Sequence, residues 1–303
     1  MHQYLRAVGF SKIKTKNDLK NLLNDVIAGY DDKNFIETDH NTLYVEYSKR
    51  YAGPCGLTVR GEYERDDNLT LDFYYPFIKG DQTSTGEDIT VERHAEKESF
   101  AGVCDDTRIA VSIIFYVQNG VEYMRTYAAG EITSELASVR FAGLSINGTI
   151  MLPIKKNAKE KALAKKAIND RTQRIVAARN GDEEALESLT LEDIDTYSTV
   201  SKRLLKEDIF SIVDTYFMPY GVECDQYSIL GEIEDCRIVN NYYSDETVYV
   251  MKINCNDMIF DICINSEDLL GEPKKGRRFK GTMWLQGHID FSSSEASYEA
   301  DKN

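Results

Sequence analysis

Two hydrophobic periods share this chain, and they set strand-rich ends around a helical middle. Leu19, Leu22, Leu23, Val26 and Ile27 recur at i, i+3, i+4, i+7 and i+8, which predicts an amphipathic helix over 16–29 stopped by Gly29. The period then falls to two. Residues 43–50, 56–64 and 69–78 read as strands, with Leu69, Leu71, Phe73, Tyr75 and Phe77 on one face of the third. Asp66-Asp67-Asn68 supplies a turn between two of them. Asn119-Gly120, between Ile109–Val117 and Val121–Tyr127, predicts a hairpin because Asn-Gly suits the positive φ of a type I′ turn. Asn147-Gly148 predicts a second, joining Ser138–Ile146 to Thr149–Ile154. Consecutive hairpins imply an antiparallel sheet with one helix to cover a face.

From residue 155 the pattern turns helical. Residues 155–179 carry nine Lys/Arg and a thin apolar stripe, and an acidic block follows from Gly181. Thr190-Leu-Glu-Asp193 resembles a capping box and opens a second helix presenting Leu191, Ile194, Tyr197, Leu204 and Leu205. A third helix, Asp208–Phe217, ends before Pro219-Tyr-Gly221. The last part returns to strands at Tyr227–Val239, Glu246–Asn254 and Met258–Ile264, then a helical turn at 266–271, then Arg277–Leu285 and His288–Phe291. Three strands, a short helix and two strands match an oligonucleotide/oligosaccharide-binding (OB) barrel in order and size. The predicted fold is α+β: an antiparallel-sheet domain over 1–154, a helical connector over 155–220 and a small OB-like β-barrel over 221–292. Residues 293–303, rich in Ser, Glu and Asp, are expected to carry no fixed structure.

A hydrophobic fraction of 42% places the chain among globular proteins. A formal charge of −15 works against non-specific attachment to nucleic acid or anionic membranes. The six cysteines form no CxxC pair and lie in apolar runs, as small buried hydrophobes of a reduced protein do. No apolar run approaches the ~18 residues of a membrane span, and the first ten residues lack a signal-peptide core. The expected location is cytoplasmic, with no membrane partner.

Against that acidic background Lys274, Lys275, Arg277, Arg278 and Lys280 form a basic cluster close to Trp284, the one tryptophan. Cations beside an aromatic ring are what a single-stranded nucleic-acid groove needs. Strand alternation sends Phe279 inward and puts Arg278, Lys280 and Trp284 on the other face, where they serve equally as a solvated barrel exterior. Glu92, His94 and Glu96 stand at i, i+2 and i+4, a spacing that holds a divalent metal or forms a polar solvent face. Gly80–Gly86 lacks the Gly-Lys-Ser/Thr ending of a phosphate loop. There is no Gly-x-Ser-x-Gly and no local Cys–His pairing, and neighbouring acids fall on opposite strand faces. The residues assign no catalytic group and no cofactor.

Tyr4–Phe10, Ser188–Tyr197, Val213–Asp225 and Arg277–Gly287 together resemble an uncharacterised family of Firmicutes (clostridial) proteins with no established function. The resemblance spans the chain and implies a cytoplasmic protein of anaerobic bacteria, with no site residues to carry over. The leading expectation is a non-enzymatic cytoplasmic binding or scaffold protein that contacts another protein or its own copy. Single-stranded nucleic-acid binding by the C-terminal barrel comes second, and a metal-dependent enzyme third.

Overall fold

Thr15 Oγ1 accepts from Asp18 N at 3.1 Å while Asp18 Oδ2 accepts from Thr15 N at 3.0 Å, and this capping box opens α1 (Lys16–Ala28) in a computed structural model of the chain. The structure describes residues 1–291 apart from 38–41, 64–67, 87–88, 94–98, 107, 110, 131–136 and 155–157. β1 (Asp32–Glu37), β2 (Leu43–Ala52), β3 (Cys55–Tyr63) and β4 (Leu69–Ile78) form an antiparallel meander. α1 inserts Leu22, Leu23 and Val26 into one apolar cluster with Val45, Tyr47, Leu57 and Val59 of β2 and β3. The predicted sheet and its covering helix are both present.

A second sheet begins with β5 (Ile89–Arg93), β6 (Phe100–Cys104) and β7 (Ile113–Val117), followed by α2 (Gly120–Ala128) and β8 (Ala137–Met151). Then come α3 (Ala158–Arg179), α4 (Glu183–Leu204), α5 (Ile209–Ile212) and β9 (Tyr216–Pro219). The chain ends with β10 (Gln226–Asn240), β11 (Thr247–Cys255), β12 (Met258–Asn265), β13 (Leu269–Leu270) and β14 (Arg278–Phe291). β8, β12, β11, β10 and β14 are hydrogen-bonded in that order, and β14 pairs β8 to close a five-stranded barrel. Phe141, Ile253, Phe260, Ile262, Phe279, Met283 and Leu285 fill its interior. An OB barrel closes in the order first, second, third, fifth, fourth, with the third and fifth strands parallel. Here β10, β11, β12 and β14 take the first four places and β8, parallel to β12, takes the fifth. The barrel is therefore an OB barrel whose last strand comes first in the chain. β10 behaves as its long first strand: its first half pairs β14, its second half pairs β11, and a bulge between Ile233 and Asp235 lets it turn from one to the other.

Four local readings are corrected. Asn147-Gly148 makes no turn, because β8 runs unbroken through it; a Cβ on Gly148 would lie 2.5 Å from the Phe279 ring, so the glycine is there for packing. Asn119-Gly120 leads into α2, and neither residue has positive φ. The Asn119 amide is engaged instead with the backbone of Ile289, donating at 2.8 Å and accepting at 3.0 Å. The expected helix over 208–217 shortens to α5 and gives way to β9, which pairs β10. The expected strand at 288–291 continues β14 without a break, so the barrel draws its fifth strand from residues before the helical connector.

The two sheets meet around a buried ion pair. Glu46 and Arg60 are cross-strand partners, 4% and 1% exposed, joined Nε to Oε2 at 2.6 Å. The remaining guanidinium nitrogens donate to Tyr116 Oη, Tyr75 Oη and the Gln118 carbonyl at 3.0–3.3 Å. Burial opposes the charge on Arg60, but Tyr116, Tyr75 and Glu46 outweigh it and hold the guanidinium firmly protonated. Gln118 extends the network to the Gln286 side chain and the Ile78 carbonyl.

Candidate functional site

An OB barrel usually presents its second and third strands to ligands. Here that face is occupied by the chain itself. Val250 and Cys263, on the outer sides of β11 and β12, share an apolar cluster with Leu5, Ala7 and Val8 of the N-terminal 3-10 helix (Gln3–Val8) and with Phe10 just beyond its end. Asn265 donates to the Arg6 carbonyl, and Asp268 forms an ion pair with the Arg6 side chain.

The outward side chains of β14 are covered in the same way. Alternation holds: Phe279 points into the barrel, and Arg278, Lys280 and Trp284 point out. Arg278 is 7% exposed and donates to four backbone carbonyls, those of Leu152, Phe210, Val213 and Asp214, at 2.8–3.4 Å. Lys280 Nζ sits 4.1 Å from the centre of the Phe210 ring. Arg277 donates to the Glu272 carbonyl and Lys274 pairs with the Glu272 carboxylate, while Lys275 is exposed. Trp284 shares β14 with Arg278 and Lys280 but contacts other groups. Of the expected metal ligands, Glu92 is exposed, and His94 and Glu96 lie outside the described residues. No group of three metal-ligating side chains gathers among the described residues.

Trp284 instead forms part of a groove of about 880 Å³. The floor is the outer face of the second sheet, with Ala101 and Val103 of β6, Ile114 and Tyr116 of β7, and Trp284 of β14. The N-terminal helix forms one wall with His2, Gln3 and Tyr4, Phe73 of β4 stands beside it, and Glu223–Gln226 form the opposite wall. Tyr4 stacks on the Trp284 ring at 5.5 Å with 28° between planes; His2 lies at 4.9 Å and Tyr116 at 5.1 Å. The indole N–H donates to Asp225 Oδ2 at 2.6 Å, and the Leu285 amide to the Asp225 carbonyl at 2.9 Å, which fixes the ring. Small residues at the centre of the floor keep the trough open between these bulky walls.

The groove is acidic. Glu92, Glu223 and Asp225 line it, and among the described lining residues there is no Lys or Arg. Burial first, then the charges of Asp225 and Glu223, push the Tyr4 hydroxyl up to about 12. Burial and Asp225 likewise contribute to a Tyr227 value of about 12, offset in part by its bond to Ile114. An aromatic floor with a negative edge favours a cation twice, through the ring quadrupoles and through the carboxylates.

A smaller polar cleft of about 260 Å³ lies on the far side of the ion pair, lined by Lys33, Glu46, Lys79, Glu122 and His288 among others. Burial, then Arg140, lowers the His288 pKa from 6.5. The unfolded chain therefore takes up this proton first, so stability falls as pH drops through about 6.5 and levels off below the folded value. Denaturation of His288→Gln is expected to vary less with pH between about 7.5 and 5.5 than that of the native chain.

Tyr4, Phe73, Tyr116 and Asp225 were not signalled as site residues by any local motif. They come from four segments far apart in sequence, and only the docking of the N-terminal helix on the sheet brings them together. The one sequence trace is alternation, which already placed Phe73 and Trp284 on defined strand faces.

Residues 5–287 match the profile of the family described as "Domain of unknown function, E. rectale Gene description (DUF3881)". The chain belongs to that family. Its extent takes in both sheets, the helical hairpin and nearly all of the barrel, as the resemblance across the whole chain implied. No curated protein and no solved structure matches the chain. No described helix is long and apolar enough to cross a membrane.

Proposed function

We propose that this protein is a non-enzymatic, cytoplasmic binding protein whose aromatic groove takes a basic segment of a protein partner. The observation that carries this reading is the lining of the groove: His2, Tyr4, Phe73, Tyr116 and Trp284 with Glu92, Glu223 and Asp225, and no opposing Lys or Arg among the described residues. A lysine or arginine side chain suits such a site, since its alkyl stem covers the Ala101–Ile114 floor while its head meets the rings and carboxylates. An open trough on a sheet face accommodates an extended peptide. Six free thiols fit a reducing compartment. The covered face of the barrel and the internal partners of Arg278 and Lys280 favour this reading over nucleic-acid binding.

Trp284, as the one tryptophan, reports the groove directly. Titration with hexalysine at low salt is expected to change its emission, saturably and with loss at high salt, while hexaglutamate leaves it unchanged. Asp225→Asn is expected to weaken binding roughly tenfold. An unchanged emission with hexalysine, or a response to an oligonucleotide in its place, overturns the proposal.

A further inference from the structure

The first sheet is apolar on one face and polar on the other. Val45, Tyr47, Leu57 and Val59 pack on the side of α1. On the reverse, strand pairing sets Asp32, Ser48, Thr58 and Tyr75 in one row across all four strands, and Asn34, Glu46 and Arg60 in the next. The Ser48 and Thr58 hydroxyls meet at 2.9 Å. This polar face floors the cleft of about 260 Å³, which Gln118, Asn119 and Glu122 at the start of α2 enclose together with Lys79 and His288. Glu46, Thr58, Gln118 and Asn119 are all more than nine-tenths buried. Burying polar groups is costly unless something polar meets them, so a cavity lined in this way suits a polar occupant.

The chemistry of the lining narrows the class of that occupant. Asp32, Glu46 and Glu122 accept hydrogen bonds, Lys79 donates them, and Ser48, Thr58 and a neutral His288 do both. The three carboxylates balance Lys79 and the Arg60 guanidinium to within one charge. Lys33 borders the cleft too, but its ammonium lies 5.3 Å from the centre of the Tyr47 ring, on the α1 face of the sheet. An anion offers acceptors alone and meets three carboxylates; a simple cation offers donors alone and meets Lys79. A hydroxyl both donates and accepts, so a neutral molecule carrying several of them matches this mixed lining. Phe77 adds an aromatic surface. It stands opposite Gly56, where a Cβ would come within 2.6 Å of the ring, and the C–H side of a hydroxylated ring finds apolar cover there. A volume of about 260 Å³ lies just below that of pockets for drug-sized ligands and suits one small ring.

We propose that this cleft binds a neutral polyhydroxyl compound of monosaccharide size. The site is separate from the aromatic groove and does not depend on what that groove takes. Arg60 stands between the two, meeting Glu46 on the cleft side and Tyr116 on the groove side.

Saturation-transfer NMR on the full chain, with aldohexoses, aldopentoses and cyclitols offered singly at about 1 mM, tests the proposal. At least one is expected to bind with a Kd of about 1 mM or tighter, while lysine and inorganic phosphate give no signal. Asp32→Ala and Phe77→Leu are each expected to weaken that binding about tenfold. Asp32 is exposed on an edge strand and leucine keeps an apolar group at position 77, and unchanged Trp284 emission checks that each variant folds. Absence of binding by every member of the panel overturns the proposal. So does a signal from lysine or phosphate, a sugar signal that hexalysine displaces, or native affinity in either folded variant.

Discussion

Replacing Arg60 by methionine is expected to destabilise the protein by about 3–5 kcal/mol, because it leaves the buried Glu46 carboxylate without its ionic partner. Both side chains are more than nine-tenths buried, so little water can replace the lost guanidinium. Tyr116 Oη and the Gln118 carbonyl lose a donor at the same time, although Tyr75 Oη keeps its 2.7 Å bond to that carbonyl. Pairing Arg60→Met with Glu46→Leu is expected to recover most of the loss, since an apolar pair of similar bulk removes the stranded charge. Urea unfolding followed by Trp284 emission measures both variants, and Tyr116, 5.1 Å from the indole, links the network to the probe. A single variant within about 1 kcal/mol of native would mean that water or another cation reaches Glu46. The same network stands between the groove and the polar cleft, so a weakened Arg60 is also expected to loosen the floor under Tyr116.

The α+β class, the first sheet with its helix and the barrel core were legible because each rests on a local period. Val26 and Leu22 lie at helical spacing, and Phe279, Met283 and Leu285 keep their inward alternation. What failed was the meaning of Asn-Gly. Gly148 is required by the Phe279 ring, a contact with a strand more than a hundred residues away, and no short-range rule distinguishes that need from a turn. Strand order was hidden for a related reason. The strand that closes the barrel precedes the helical hairpin, and a left-to-right reading gave that place to 288–291. The groove was less legible still. Trp284 stood out by its rarity, yet its true neighbours His2, Tyr4 and Tyr116 approach through tertiary packing, while the nearby lysines and arginines in sequence point at other groups. The groove that Trp284 lines is thus acidic, opposite in charge to the basic cluster beside it in sequence.

Arg278 shows how a residue that looks like a ligand contact serves the fold instead. Its guanidinium reaches carbonyls on both sides of the helical hairpin, Leu152 before it and Phe210, Val213 and Asp214 after it. Three of the acceptors, Leu152, Val213 and Asp214, lie outside helices and strands and Phe210 lies in the single turn of α5, and a fork of fixed N–H donors satisfies all four together. Burial lowers the pKa of this arginine, and a guanidinium keeps its proton in proteins, so the clamp stays charged. Arg278→Ala is expected to cost about 2–4 kcal/mol, because it leaves several carbonyls without their donor. Arg278→Lys is expected to recover less than half of that, as one ammonium cannot span acceptors placed for a planar fork. The damage is expected to be local: hydrogen exchange rises in 209–214 and through α3 and α4, while the barrel strands β11 and β12 stay protected. Unaltered exchange at the hairpin root would show that Phe210 stacking on Lys280 and the α5 contacts hold the hairpin without the clamp.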